Sequence, residues 1–151
     1  MADTGDVSTL HKVFAGATAI FAVTDYWSPF FSLPPPKTPE GRPLQEYDYD
    51  NELNHGQNVA DAAAAVDTLI HFIWSALLSL KKASNGKYSG IYHFDSKGAI
   101  DYIREKQIEL AKKMSVIYMS FYISNILLYD MMKPNKAHQM PCLKKSTQLT
   151  T

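Results

Sequence analysis

The run Thr18-Ala-Ile-Phe-Ala-Val-Thr-Asp-Tyr-Trp27 constrains the fold more than any other part of the chain. It is an apolar β-type segment that ends in a polar and aromatic cluster. In an open α/β sheet, ligands bind just beyond the carboxyl ends of the strands, so Thr24, Asp25, Tyr26 and Trp27 mark the first place to expect one. Fewer than twenty residues precede the strand, and neither G-x-G-x-x-G nor G-x-x-G-x-x-G occurs in the 151 residues. The glycine turn with which a dinucleotide-binding sheet opens is therefore missing from this sequence.

Hydrophobic periodicity places the other elements around that strand. Residues 6–15 carry Val7, Leu10, Val13 and Phe14 at helical spacing with Gly16 as a stop, and a strand over 18–24 follows at once. Residues 28–46 hold Pro34, Pro35, Pro36 and most of the other prolines, so 28–51 is expected to be a long Pro-rich loop over the strand's carboxyl end, a lid or a surface insertion. Residues 52–66 put Val59, Ala62, Ala63 and Val66 on one side of a helix able to approach a sheet closely. A buried strand over 68–75, a polar loop over 81–89 with an Asn85-Gly86 turn, a helix over 95–113 and a third strand over 115–122 follow. A short helical piece over 123–132 and a polar tail over 133–151 end the chain. Strands alternating with helices predict a parallel sheet with right-handed crossovers, and the length predicts one domain over 1–151.

Composition narrows the function classes. Lysine plus arginine equals aspartate plus glutamate, and no basic patch with interleaved aromatics occurs, which argues against nucleic acid as a partner. The uncharged run 114–129 is shorter than the roughly 20 apolar residues of a membrane span and contains Ser115, Ser120, Ser124 and Asn125, so no membrane association is expected. Residues 1–6 are polar and acidic, unlike a signal peptide, and the lone Cys142 fits a reducing, cytoplasmic setting. The five histidines show no metal-ligand spacing, so no metal is expected, and Ser28 and Ser75 lack the G-x-S-x-G context of a serine hydrolase.

Several segments, in order, resemble the fungal NmrA-like group of atypical short-chain dehydrogenase/reductases. They are Thr4-Gly-Asp6, Phe14-Ala-Gly-Ala17, Phe21-Ala-Val-Thr-Asp-Tyr-Trp27, Glu52 with Gly56-Gln-Asn-Val-Ala-Asp-Ala-Ala63, His71-Phe-Ile-Trp-Ser75, Lys87 through Lys97, and Ile123-Ser-Asn125. The likeness covers roughly residues 3–128. It implies a truncated Rossmann-like α/β fold of about three parallel strands flanked by helices. In that family three strands, the glycine fingerprint and a phosphate-reading basic residue come ahead of the position of Asp3, and a substrate domain comes after that of Asn125. Without the pyrophosphate-binding turn no NAD(P) cofactor is expected.

Candidate chemistry gathers near the strand ends. By resemblance, Lys97 aligns with the lysine that related reductases place near the nicotinamide; bordering a buried helix face, it could act as an acid or base or be merely solvated. Arg104, seven residues on and on the same face, could orient an anionic oxygen or pair with Asp101. Asp25 could contact a ligand or make a turn, Tyr26 and Trp27 could contact it or pack under the loop, and His93, beside Tyr92, could shuttle a proton or bond a backbone carbonyl. Phe30, Phe31, Trp74, Tyr118, Phe121 and Tyr122 could line an apolar cavity or form core, and Asn125 closes the proposed substrate contacts.

Two function classes follow from these readings. One is a cofactor-independent enzyme of specialised metabolism doing proton chemistry (cyclisation, hydroxyl addition to an alkene, or isomerisation) on an apolar aromatic or polyketide-like molecule, with Lys97, Asp25, Tyr26, His93 and Arg104 at work. The other is a non-catalytic NmrA-like regulatory or binding protein, or a pseudo-enzyme. An NAD(P)-dependent reductase is a third reading. The first strand is expected to be an open edge, so a homodimer belongs to the fold hypothesis.

Overall fold

The computed structural model describes residues 2–30, 37–39, 41–119 and 122, with Phe30 described by its backbone alone. Residues 1–119 form one compact unit, and the architecture below belongs to it. Helix α1 (Val7–Phe14) starts where the Asp6 carboxylate accepts a hydrogen bond from Ser8 N at 2.9 Å, a side-chain cap for an otherwise unpaired donor. His11 and Lys12 in its last turn oppose the negative end of the helix dipole. The chain then reverses at Gly16, whose φ of +74° suits glycine.

Strand β1 (Ala19–Ala22) is followed by the short helix α2 (Trp27–Phe30) and the long helix α3 (Leu44–Ala64). After α3 come β2 (His71–Ala76), α4 (Leu80–Ala83), α5 (Tyr92–Asp95) and a 3₁₀ turn (Ser96–Gly98). Helices α6 (Ala99–Lys106) and α7 (Ile108–Lys112) lead into β3 (Met114–Tyr118). The three strands form a parallel sheet in the order β1-β2-β3, with Ile20 opposite Phe72 and Trp74 opposite Val116.

Alternation along β1 buries Ile20 and Ala22 and leaves Phe21 57% exposed. The buried side joins Phe72, Trp74 and Ala76 of β2, Val59, Ala60, Ala62 and Ala63 of α3, and Ile100 and Ile103 of α6 in one core. Small residues on α3 are what let it lie close to the strands. At Gly56 a Cβ would stand 2.6 Å from Ala99 Cβ and 3.2 Å from Trp74 Cη2, so only glycine fits where α3 meets α6 and β2.

An α/β fold with three parallel strands and flanking helices is therefore what the chain adopts, but several element boundaries differ from those the sequence predicts. The 28–51 loop is interrupted: Trp27–Phe30 is helical, and α3 begins at Leu44, directly after Pro43, rather than at residue 52. A proline just before a helix costs no internal hydrogen bond, and the acidic first turns of α3 lack the apolar spacing that would have revealed it. The strands are shorter than expected or shifted, the second beginning at His71 because Leu69 N bonds back to Val66 O and Ile70 N to Thr18 O. The start of the 81–89 loop is helical (α4), capped by the Ser79 hydroxyl on Lys82 N. The expected turn does occur, with Asn85 at φ +51° and Gly86 at φ +84°.

The single helix expected over 95–113 is instead four short pieces. Its main break falls at Gln107, whose backbone leaves the helix at φ −116°, ψ 60° while its amide donates to Asp61 Oδ1 on α3 at 2.5 Å. Tyr102 donates to the same oxygen at 2.7 Å, so a tertiary contact divides α6 from α7. The helical piece expected over 123–132 lies outside the described residues. No helix among the described residues is long and apolar enough to cross a membrane.

Candidate functional site

Beyond the carboxyl end of β1, three elements meet: the segment 23–26 leaving the strand, the first half of α3, and the α5–3₁₀ corner. Glu52 of α3 is 1% exposed, yet its carboxylate is fully engaged. Its Oε1 receives the Thr24 hydroxyl at 2.7 Å and the Lys97 ammonium at 2.5 Å, and its Oε2 receives the Ser96 hydroxyl. Lys97 Nζ, on a side chain 12% exposed, also donates to Thr24 O and, at 3.1 Å, to Thr24 Oγ1. An ammonium has three N–H donors and here meets three acceptors, so the network closes on itself. It ties β1, α3 and the entry to α6 together with a buried ion pair.

Around this pair sit groups whose protonation burial has altered. The Tyr26 phenol, 4% exposed, donates to Gln45 O at 3.1 Å. Burial first, and then the nearby Asp48 and Glu52 charges, push its pKa up to about 12, which keeps it a neutral donor near pH 7. His93 lies 6.0 Å from the Tyr26 ring and 5.2 Å from that of Trp27. Burial holds its imidazole below the usual value, against the upward pull of Glu52 and Asp95, so its neutral, basic form is favoured. The phenol's hydrogen is given to Gln45 O, and the imidazole ring is tilted by 50° to the phenol ring.

The most unusual group is Asp48. It is 1% exposed, one turn before Glu52 on α3, and neither carboxylate oxygen has a hydrogen-bond partner among the described residues. Burial pushes its pKa up. Farther along the edge of the site, the Tyr92 hydroxyl donates to Glu46 Oε1 at 3.1 Å, which raises the phenol's pKa.

The other sequence candidates fall in different places. Asp25 is exposed, and its carboxylate accepts from Trp27 N at 2.9 Å, a turn-making contact. Arg104 is exposed on α6, and the Asp101 carboxylate expected as its alternative partner is bound by Lys82 instead. Trp74 is fully buried and stacked on Phe72 with ring centroids 6.1 Å apart, a core position. Tyr118 and Tyr122 are 57% and 46% exposed. The Phe30 side chain, Phe31, Phe121 and Asn125 lie outside the described residues. A cleft of about 710 Å³ opens instead between α3, α4 and α6, lined by Tyr49, Leu53, Gln57, Ser79, Lys82 and Tyr102 among others; Trp27, Trp74, Tyr92, Tyr118 and Tyr122 are not part of its wall.

Glu52, Ser96 and Asp48 were not among the sequence candidates. Once α3 begins at Leu44, Asp48, Glu52 and Gly56 line up four residues apart on the face that continues into Ala60 and Ala63. Two acids where an inward stripe asks for apolar residues were the available signal.

Fold and site together define a Rossmann-like α/β protein with a buried polar cluster at a strand's carboxyl end. The chain belongs to the NmrA-like family, whose model matches residues 1–148. No solved structure matches it. Dinucleotide binding, which the likeness to short-chain reductases raises, needs a glycine turn whose backbone N–H groups face a pyrophosphate. Here β1 runs into Thr24-Asp25-Tyr26 and β2 into Leu77-Leu78-Ser79, and no glycine stands between either strand's carboxyl end and the helix that follows it. The described residues do not fit that group. No cluster of three histidine, cysteine or acidic side chains suited to a metal occurs among them either.

Proposed function

We propose that this chain is an acid/base enzyme of fungal specialised metabolism acting on an apolar aromatic or polyketide-like small molecule, by cyclisation, hydroxyl addition to an alkene, or isomerisation. One observation carries the reading: the Tyr26 and His93 rings lie with centroids 6.0 Å apart beside the Lys97–Glu52 ion pair, the phenol's pKa raised and the imidazole's lowered by burial. His93 takes the proton and Tyr26 supplies one. Lys97 positions them through Glu52, and the Trp27 ring packs beside both. Asp25 and Arg104, being exposed, are assigned no proton-transfer step. The reading includes a cytoplasmic setting and a second copy of the chain as partner.

Exchange of the hydrogens next to a carbonyl tests this reading even while the natural substrate is unidentified. A panel of aryl alkyl ketones in D₂O, followed by proton NMR, should lose those signals faster with the protein than without it. His93→Gln and Tyr26→Phe should each slow the exchange by about 10²-fold or more. Ketones that bind with no exchange in any member of the panel would turn the assignment to the non-catalytic regulatory or binding reading.

A further inference from the structure

We propose that the Asp48 carboxyl is the polar anchor of a ligand subsite, accepting a hydrogen bond from a neutral hydroxyl on an otherwise apolar aromatic molecule. The argument starts from a contrast on one helix face. Glu52 and Asp48 are each 1% exposed and one turn apart, but Glu52 receives Lys97, Thr24 and Ser96 while Asp48 receives nothing. A buried polar group without a partner lowers folded stability, and a native structure that retains one calls for an explanation. The groups next to Asp48 point to the kind of ligand. The Tyr26 phenol donates to Gln45 O on α3, three residues before Asp48, and Tyr26 in turn packs on Trp27 edge to face at 5.0 Å. Lys97, the lysine of the cluster, already has its three acceptors, so among the described residues of the cluster no lysine is left to neutralise an anionic ligand. A neutral oxygen attached to an aromatic body meets both demands. As a carboxylate near neutral pH, Asp48 would accept the hydroxyl's hydrogen.

The subsite rests on the proposed acid/base reading only for the ligand's location, and the test separates the two. 2-Naphthol and 2-naphthoate are titrated by calorimetry into the wild-type chain, Asp48→Asn and Asp48→Leu, with thermal melts of each protein at neutral pH. The wild type should bind naphthol and bind naphthoate at least about tenfold more weakly. Both variants should melt higher than the wild type. Asp48→Leu should lose about tenfold or more in naphthol affinity, the scale of a hydrogen bond to a buried group, whereas Asp48→Asn, which still donates and accepts, should lose less. Naphthol affinity unchanged in Asp48→Leu would assign the carboxyl to a buried water and overturn the subsite. So would melting temperatures lowered in both variants, or a wild type that does not bind naphthol. Asp48-dependent binding in a protein without exchange activity would uphold the subsite and remove the acid/base reading. Exchange activity together with naphthol binding that does not depend on Asp48 would do the reverse.

Discussion

At the scale of single residues, the site is a set of buried ionisable groups sorted by what their neighbours offer. Lys97 and Glu52 satisfy each other, so removing one leaves the other as an uncompensated buried charge. Lys97→Met should therefore cost about 3–5 kcal/mol of stability, most of it regained in Lys97→Met/Glu52→Gln, as chemical denaturation would show. Asp48 behaves in the opposite way. Its folded pKa is raised, so the cost of its charge is fully present above that value and disappears as pH falls below about 4, where the carboxyl is protonated folded and unfolded alike. Asp48→Asn should then be more stable than the wild type by about 1–3 kcal/mol near neutral pH. The two melting curves should converge in acid; a difference that does not depend on pH would mean the carboxyl is already neutral or already paired.

At the scale of elements, what was legible followed from local pattern. The strand run at 18–24, the alanine-rich face of α3 and the Asn85-Gly86 turn each carry their own signal, so the parallel three-stranded sheet could be read from the sequence. The first two turns of α3 could not, because Asp48 and Glu52 occupy the positions where periodicity looks for apolar side chains. The division of the 95–113 helix was equally hidden, since it depends on Asp61 reaching Tyr102 and Gln107 from more than forty residues away in sequence. Lys97, Tyr26 and His93 were legible as candidates because they flank elements that the pattern did show. Gly56 has a consequence of its own at this scale. Alanine ordinarily improves a helix interior by about 1 kcal/mol, but here its Cβ would run into Ala99 and Trp74. Gly56→Ala should lower stability by about 1–3 kcal/mol in thermal or denaturant unfolding, because overpacking against β2 and α6 outweighs the propensity gain.

At the scale of the whole molecule, β1 is an outer strand of the sheet, and Phe21 on it is 57% exposed with Ile117 of β3 at 38%. An outer strand of uncharged residues carries none of the usual protection against edge pairing. The proposed second copy would cover it, burying well over the roughly 1,000 Å² of a stable interface. Light scattering at low micromolar concentration should give the mass of a dimer, and Phe21→Lys should shift it to monomer; a wild-type monomer would refute this assembly. The proton-transfer site proposed at the carboxyl end of β1 is tested most directly by NMR titration of the His93 imidazole in the wild type and in Glu52→Gln. The wild-type imidazole should titrate below the usual value of about 6.5, and lower still in Glu52→Gln, where the carboxylate that opposes the effect of burial is gone. Titration at or above that value, unchanged by Glu52→Gln, would show a solvated histidine and contradict the proposed acid/base pair.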